Sequence, residues 1–195
     1  IANMLNDFRA GQAIWIGRNT RLAAGAITVN GTTSIAFEGD YSDAVTPLTL
    51  TLTSPLITLN GGCINSHGPL VLNTESLVGN GETISASSVI INPTGSFTAS
   101  DITVAQALTI INPSYSTTLT NVTANSGLSI NYSGGTWTSS TAAVTITGGS
   151  FAGTNYIEGG AVIIDNAASL FPTGVFNTSQ DGFSVLDTGN FPTWQ

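Results

Sequence analysis

Short apolar-x-apolar triplets punctuate the chain at a near-constant interval. They are Ile27-Thr28-Val29, Leu48-Thr49-Leu50, Leu70-Val71-Leu72, Val89-Ile90-Ile91, Leu108-Thr109-Ile110, Leu128-Ser129-Ile130, Val144-Thr145-Ile146 and Val162-Ile163-Ile164. Their first residues lie 21, 22, 19, 19, 20, 16 and 18 positions apart. Side chains two apart on a strand share a face, so each triplet predicts a short strand with one buried side. A fixed period near 20 with one such strand per repeat predicts a solenoid, in which each repeat covers the apolar face of the next.

Other offsets recur with the triplets. Three positions after each first residue come Asn30, Thr51, Asn73, Asn92, Ile111, Asn131, Thr147 and Asp165, with Asn112 one place after the Ile111 exception. Asn tolerates the backbone of a tight corner, and stacked amides can bond along an axis. A second apolar segment follows about eight residues on: Ile35/Phe37, Ile57/Leu59, Leu77, Phe97, Tyr115, Trp137, Phe151 and Leu170. A third supplies Ile64, Ile84, Ile102/Val104, Leu119/Val122, Ile157 and Val175/Phe176. Three strands per turn, separated by Gly, Asn and Ser, predict an all-β, three-sided parallel β-helix of about eight coils. Gly, Pro and β-branched residues break every helical run after about residue 12.

The ends depart from the repeat. Ile1, Met4, Leu5 and Phe8 fit a short amphipathic helix, expected to cap the exposed first rung over residues 1–12. The β-helix is expected over residues 13–176, opening with an incomplete coil from Ala13–Ile16 and Arg21–Ala24. Residues 177–195 lose the period but keep Phe183, Val185, Leu186, Phe191 and Trp194, so they are expected to cap the last coil or to contact another subunit. Because the chain begins at Ile1, a processed product or a fragment is expected.

Composition narrows the functions. Thr (29), Ser (21), Asn (17) and Gly (22) dominate the 195 residues, against 3 basic and 11 acidic residues and a formal charge of −8. Lysine is absent, and the three arginines are Arg9, Arg18 and Arg21. So few cations argue against nucleic acid and anionic membrane surfaces as partners. No stretch has the length of a membrane span. With 41% apolar residues the chain is too hydrophobic for disorder. The lone Cys63 cannot form an internal disulfide and reads as a small buried hydrophobe. The scarcity of charge suits a solenoid, since like charges stacked in register repel.

The eight triplets, the Asn corner ladder, the amphipathic N-terminal segment and the Thr/Ser/Asn/Gly-rich, lysine-free surface together resemble right-handed parallel β-helices of the pectin-lyase-like superfamily. Within it the chain most resembles bacteriophage tailspike and tail-fibre proteins, over about residues 12 to 176. The resemblance implies a homotrimer on the virion, attached to other tail proteins and exposed outside the cell, that binds and often cleaves a bacterial surface polysaccharide.

Cleavage of a glycan needs two carboxylates. Glu82 and Asp101, 19 residues apart, precede third-segment apolar residues, with Asn121 next in line. Stacked outward, they would repel and raise one pKa, as a general acid requires; pointing apart, they would be plain corner residues. Glu38, Asp40 and Asp43 could offer oxygen ligands to Ca²⁺ but lack the spacing of a Ca²⁺ loop, so a solvated turn is expected and no metal site is assigned. His67 reads as a turn residue, and no cofactor-binding motif is present. Trp137, with Tyr132 nearby among small polar neighbours, and Asn121 are the candidate glycan contacts. Phe97, Tyr115, Trp137 and Phe151 are expected at successive rungs of one side, with the Phe residues inward; Trp15 and Trp194 are expected at the ends.

The expected function is recognition of a bacterial surface polysaccharide in the manner of a phage tailspike. A glycoside hydrolase of the same fold is the alternative, because superfamily lyases use a Lys or Arg on the uronate and none follows Arg21. A structural spacer, and an ice-binding face built on Thr-x-Thr such as Thr49 to Thr53, are the other readings.

Overall fold

The computed structural model describes the backbone of residues 13–16, 20–22, 27–43, 49–111, 115–131, 143–152, 154–165, 169–170 and 173–185. It is an all-β parallel solenoid, with about five turns between residues 28 and 131, and no helix occurs among the described residues. The capping-helix segment 1–12, Tyr132, Trp137 and Trp194 lie outside the described residues.

Among the described residues every strand pairing is parallel, and the pairings fall into three series. The first links Ile27–Asn30, Leu50–Thr53, Pro69–Asn73, Ser88–Ile91, Leu108–Ile111 and Leu128–Asn131, then the early part of Thr154–Asp165 and of Thr173–Val185. The second links Ile14–Ile16, Ile35–Phe37 and Leu56–Leu59 to the starts of Ser76–Ser85, Phe97–Val104 and Thr117–Ala124. It continues through Ala143–Thr147 to the later part of Thr154–Asp165 and the end of Thr173–Val185. The third links Thr20–Leu22, Tyr41–Asp43 and Ile64–Asn65 to the ends of the same three long strands, then to Ser150–Phe151 and Ser169–Leu170.

Alternation decides what is inside. In the first series Leu50/Leu52, Leu70/Leu72, Val89/Ile91, Leu108/Ile110 and Leu128/Ile130 are buried, and the residues between them are only partly covered. Ile57/Leu59, Leu77, Phe97/Ala99, Leu119 and Val144/Ile146 line the second series; Ile64, Ile84, Ile102/Val104, Val122/Ala124 and Phe151 line the third. All belong to one continuous core. Among the described residues the few buried polar side chains are Ser54, Ser66, Thr74 and Thr117. Thr74 donates to the Pro55 carbonyl at 3.2 Å and accepts from the Ser76 N–H at 3.3 Å.

The register corrects three readings of the repeat. The second triplet is Leu50-Thr51-Leu52, not Leu48-Thr49-Leu50, because Ile27 pairs with Leu50 and Val29 with Leu52. Val144-Thr145-Ile146 and Val162-Ile163-Ile164 pair with each other, but in the second series, behind Thr117-Thr118-Leu119. The partner of Ile130 in the first series is Ile157, 27 residues on. Phe151 stacks on Ala124 in the third series, not beside Phe97 in the second. Tyr115 precedes its strand and is 43% exposed. A triplet fits any of the three faces equally well, so the pattern alone cannot say which face it occupies.

The corner ladder is present, displaced by the same slip. Asn73 Nδ2 donates to Thr53 Oγ1 at 3.0 Å, and Asn92 Nδ2 to Asn73 Oδ1 at 3.3 Å. Ile111 then takes the ladder position, in register with Asn131, whose Nδ2 turns back to Ser129 Oγ at 2.7 Å. Cys63 is half-buried rather than buried, since it sits at a corner before Ile64. Trp15 lies on the outer side of the strand Ile14–Ile16, opposite Ala36, and is 67% exposed.

Candidate functional site

The corner between the second and third series holds the sequence-predicted Glu82, Asp101 and Asn121. In the strand Ser76–Ser85 the register shifts between Val78, opposite Ser100, and Glu82, opposite Ile102. Gly79-Asn80-Gly81 therefore bulge against the single residue Asp101. Asp101 and Asn121 adopt left-handed backbones, with φ of 54° and 52°, a conformation that short amide and acid side chains tolerate at a sharp corner. Asn121 Nδ2 donates to Asp101 Oδ1 at 2.9 Å, one turn below. Asp101 and Asn121 thus stack as expected, whereas Glu82 falls one position later, opposite Ile102.

Glu82 is committed to the backbone. Its Oε1 accepts the Gly61 N–H at 2.8 Å from the preceding turn, and its Oε2 accepts the Asn80 N–H of its own turn. Partial burial works to raise its pKa. The N–H groups of Asn80, Gly61 and Glu82 itself outweigh that, holding the carboxyl below its ordinary value of 4.5. Outward stacking beside Asp101 would raise the pKa of one member of the pair; at Glu82 the shift runs downward.

Asp40 and Glu75 act alike. Asp40 Oδ1 accepts the Cys63 N–H of the next turn at 3.0 Å. Glu75 Oε1 accepts the Thr94 hydroxyl of the next turn at 3.0 Å. With Glu82 to Gly61 and Asn121 to Asp101, four carboxylates each join two successive turns. Charge-assisted bonds at exposed corners stabilise modestly but fix geometry. Among the described residues no group of three His, Cys, Asp or Glu side chains could hold a metal ion. His67 is exposed in the turn between Ile64–Asn65 and Pro69–Asn73, where Ser66 Oγ accepts the Gly68 N–H at 3.3 Å.

This assigns a pH dependence. A carboxyl whose pKa is lower folded than unfolded contributes its full stabilisation above the unfolded value, and loses it as pH falls through the folded value. Between about pH 7 and about pH 3 the wild-type chain should lose more urea resistance than Glu82→Gln. Equal slopes would remove Glu82 from the acid response.

Sequence reasoning missed one surface altogether. On the second series the outward positions of three successive turns are Thr98/Ser100, Thr118/Thr120 and Thr145/Thr147, each pair in register with the next. Thr98 Oγ1 donates to Ser76 Oγ at 3.2 Å, extending the hydroxyl row by one turn. The positions that carry these hydroxyls repeat about 4.8 Å apart across strands and about 6.6 Å apart along them, as a grid. The signal was available as Thr118-Leu119-Thr120 and Thr145-Ile146-Thr147, but the misplaced triplet at 144–146 hid the alignment. The ice-binding expectation had picked Thr49 to Thr53, of which Thr49 precedes the strand Leu50–Thr53.

Comparison with family models, curated proteins and solved structures found no match.

Proposed function

We propose that the chain is a non-catalytic receptor-binding β-helix of the phage tailspike and tail-fibre kind, recognising an uncharged bacterial surface polysaccharide. The observation that carries this reading is the hydroxyl grid of Thr98, Ser100, Thr118, Thr120, Thr145 and Thr147. Fixed, neutral donors and acceptors at regular spacing match the hydroxyls of a repeating sugar chain, and each group can both donate and accept. A right-handed, three-sided coil of the pectin-lyase-like type accords with the three pairing series, and about eight coils with the number of repeats. Residues 1–12 then serve as the helical cap. The C-terminal residues join subunits of a homotrimer on the virion, with Trp137, Tyr132 and Asn121 as further sugar contacts.

The hydrolase alternative has less behind it. Glu82 is held as an anion by backbone donors, and Asp101 accepts from Asn121, so both carboxylates have structural work.

The test is a glycan array probed with the intact chain, with mass in solution measured alongside. Wild type should bind neutral bacterial polysaccharides without shortening them. Thr118→Val with Thr120→Val, which keeps shape and removes two hydroxyls, should weaken binding at least about tenfold with an unchanged β spectrum. Thermal hysteresis without glycan binding would overturn the reading in favour of an ice-facing grid.

A further inference from the structure

Three Asn–Gly pairs occur at turns of the solenoid: Asn30-Gly31, Asn60-Gly61 and Asn80-Gly81. The second and third occupy equivalent positions in successive turns, since Thr58 pairs with Val78 before them and Ile64 with Ile84 after them, both 20 residues apart. All four of their residues are exposed, and Gly61 and Gly81 have φ of 80° and 92°. An Asn–Gly pair can modify itself. The glycine nitrogen, lacking a neighbouring Cβ to hinder it, attacks the Asn side-chain carbonyl carbon. The bond to the side-chain nitrogen breaks, ammonia leaves with the proton of the glycine N–H, and a five-membered imide forms. Water then opens the ring to Asp or isoAsp, so the net change is amide plus water to acid plus ammonia.

What distinguishes the three pairs is who holds the attacking nitrogen. The Gly31 N–H donates to the Thr53 carbonyl at 2.8 Å. The Gly61 N–H donates to Glu82 Oε1, also at 2.8 Å. At the third pair Glu82 bonds the N–H of Asn80 itself, not that of Gly81, and Gly81 falls within the three residues that the register with Phe97–Val104 skips. Holding an N–H fixes the peptide plane that must rotate for attack. A carboxylate also disfavours the amide anion through which the attack proceeds near neutral pH, by like-charge repulsion.

We propose that Asn80-Gly81 is a self-modification site, converting spontaneously to Asp and isoAsp, and that Glu82 protects the equivalent Asn60-Gly61 pair one turn below. Conversion of Asn80 sets a new carboxylate two residues from Glu82. Repulsion between the two loosens the grip on Gly61, so modification of Asn80 precedes that of Asn60. IsoAsp also adds a backbone carbon at a corner whose register is fixed on both sides. The pair of corners thereby acts as a sequential, irreversible clock on the surface of the rod.

The experiment is ageing of the intact chain near neutral pH, with peptide mass spectrometry and isoAsp detection at residues 30, 60 and 80. In wild type, Asn80 should convert about tenfold faster than Asn60 or Asn30, the scale of opening one charge-assisted hydrogen bond. In Glu82→Gln, Asn60 should rise to the Asn80 rate while Asn30 stays slow. In urea the wild-type sites should converge, because all three share the Asn–Gly chemistry. Equal rates at Asn60 and Asn80 in the folded wild type would overturn the proposal whether or not the variant folds. So would a folded Glu82→Gln in which Asn60 remains slow.

Discussion

Gly62→Ala should destabilise the chain more than Gly61→Ala, although only Gly61 has a left-handed backbone. A Cβ on Gly62 would meet the O, C and N atoms of Gly39, all within 2.7 Å and all backbone. Nothing flexible is there to give way, because Gly39 sits in the corner just before Tyr41–Asp43, which pairs with Ile64–Asn65. Relief would require parting two turns, so the cost should be at least about 3 kcal/mol, at the upper end for overpacking. At Gly61 the added Cβ meets nothing within 4 Å, and φ is 80°. There the cost is that of one left-handed non-glycine residue, about 1–2 kcal/mol. Urea midpoints of the two variants check the order. Gly61→Ala proving the more damaging would mean that corner strain outweighs stacking contact. Gly149 combines the two constraints, with φ of 80° and the Val122 backbone beneath its Cβ position.

The glycine pair shows where sequence reasoning stops. Gly61-Gly62 reads as a turn doublet, yet one glycine is there for its dihedral and the other for the turn beneath it. Only the register tells them apart. The solenoid itself was legible because its core repeats every two residues along each strand and about every 20 along the chain, as at Leu70/Leu72, Val89/Ile91 and Leu108/Ile110. Face assignment failed at Val144 because the preceding turn is longer: Leu119 pairs with Ile146, 27 residues on. A spacing of 16 between triplets looked like a short repeat when it was a change of face.

The acids could be read two ways from the sequence for a related reason. Scarce charges invite a functional reading, since a solenoid has little use for charge in stacked positions. Corners are different, because successive strands turn there and leave backbone N–H groups without a ladder partner. A carboxylate accepts such groups well, and Asp40 at Cys63 and Glu82 at Gly61 do so across turns. Asp40, Glu75, Glu82 and Asp101 thus join turns, while hydroxyls take the outward positions of the second series from Thr98 to Thr147. That face is neutral from Thr98 to Thr147 and then meets an acid, since Asp165 takes the register position after Thr147.

Axial continuity of the core makes the last expected result a coupling. Leu52, Leu72, Ile91, Ile110 and Ile130 form one row, each in register with the next and each fully buried. Ile91→Ala and Ile110→Ala should each cost about 2–5 kcal/mol, the transfer and cavity cost of a buried aliphatic side chain. The two cavities adjoin, so the double variant should lose about 0.5–3 kcal/mol less than the sum, as the turns close over one shared void. Leu52→Ala with Ile130→Ala, four steps apart in the row and so roughly 19 Å distant, should add to within about 0.5 kcal/mol. A rod whose turns touch only their neighbours predicts that contrast. If Ile91 and Ile110 were as additive as Leu52 and Ile130, each turn would be holding its own core, and the stack would be a set of contacts rather than one packed column.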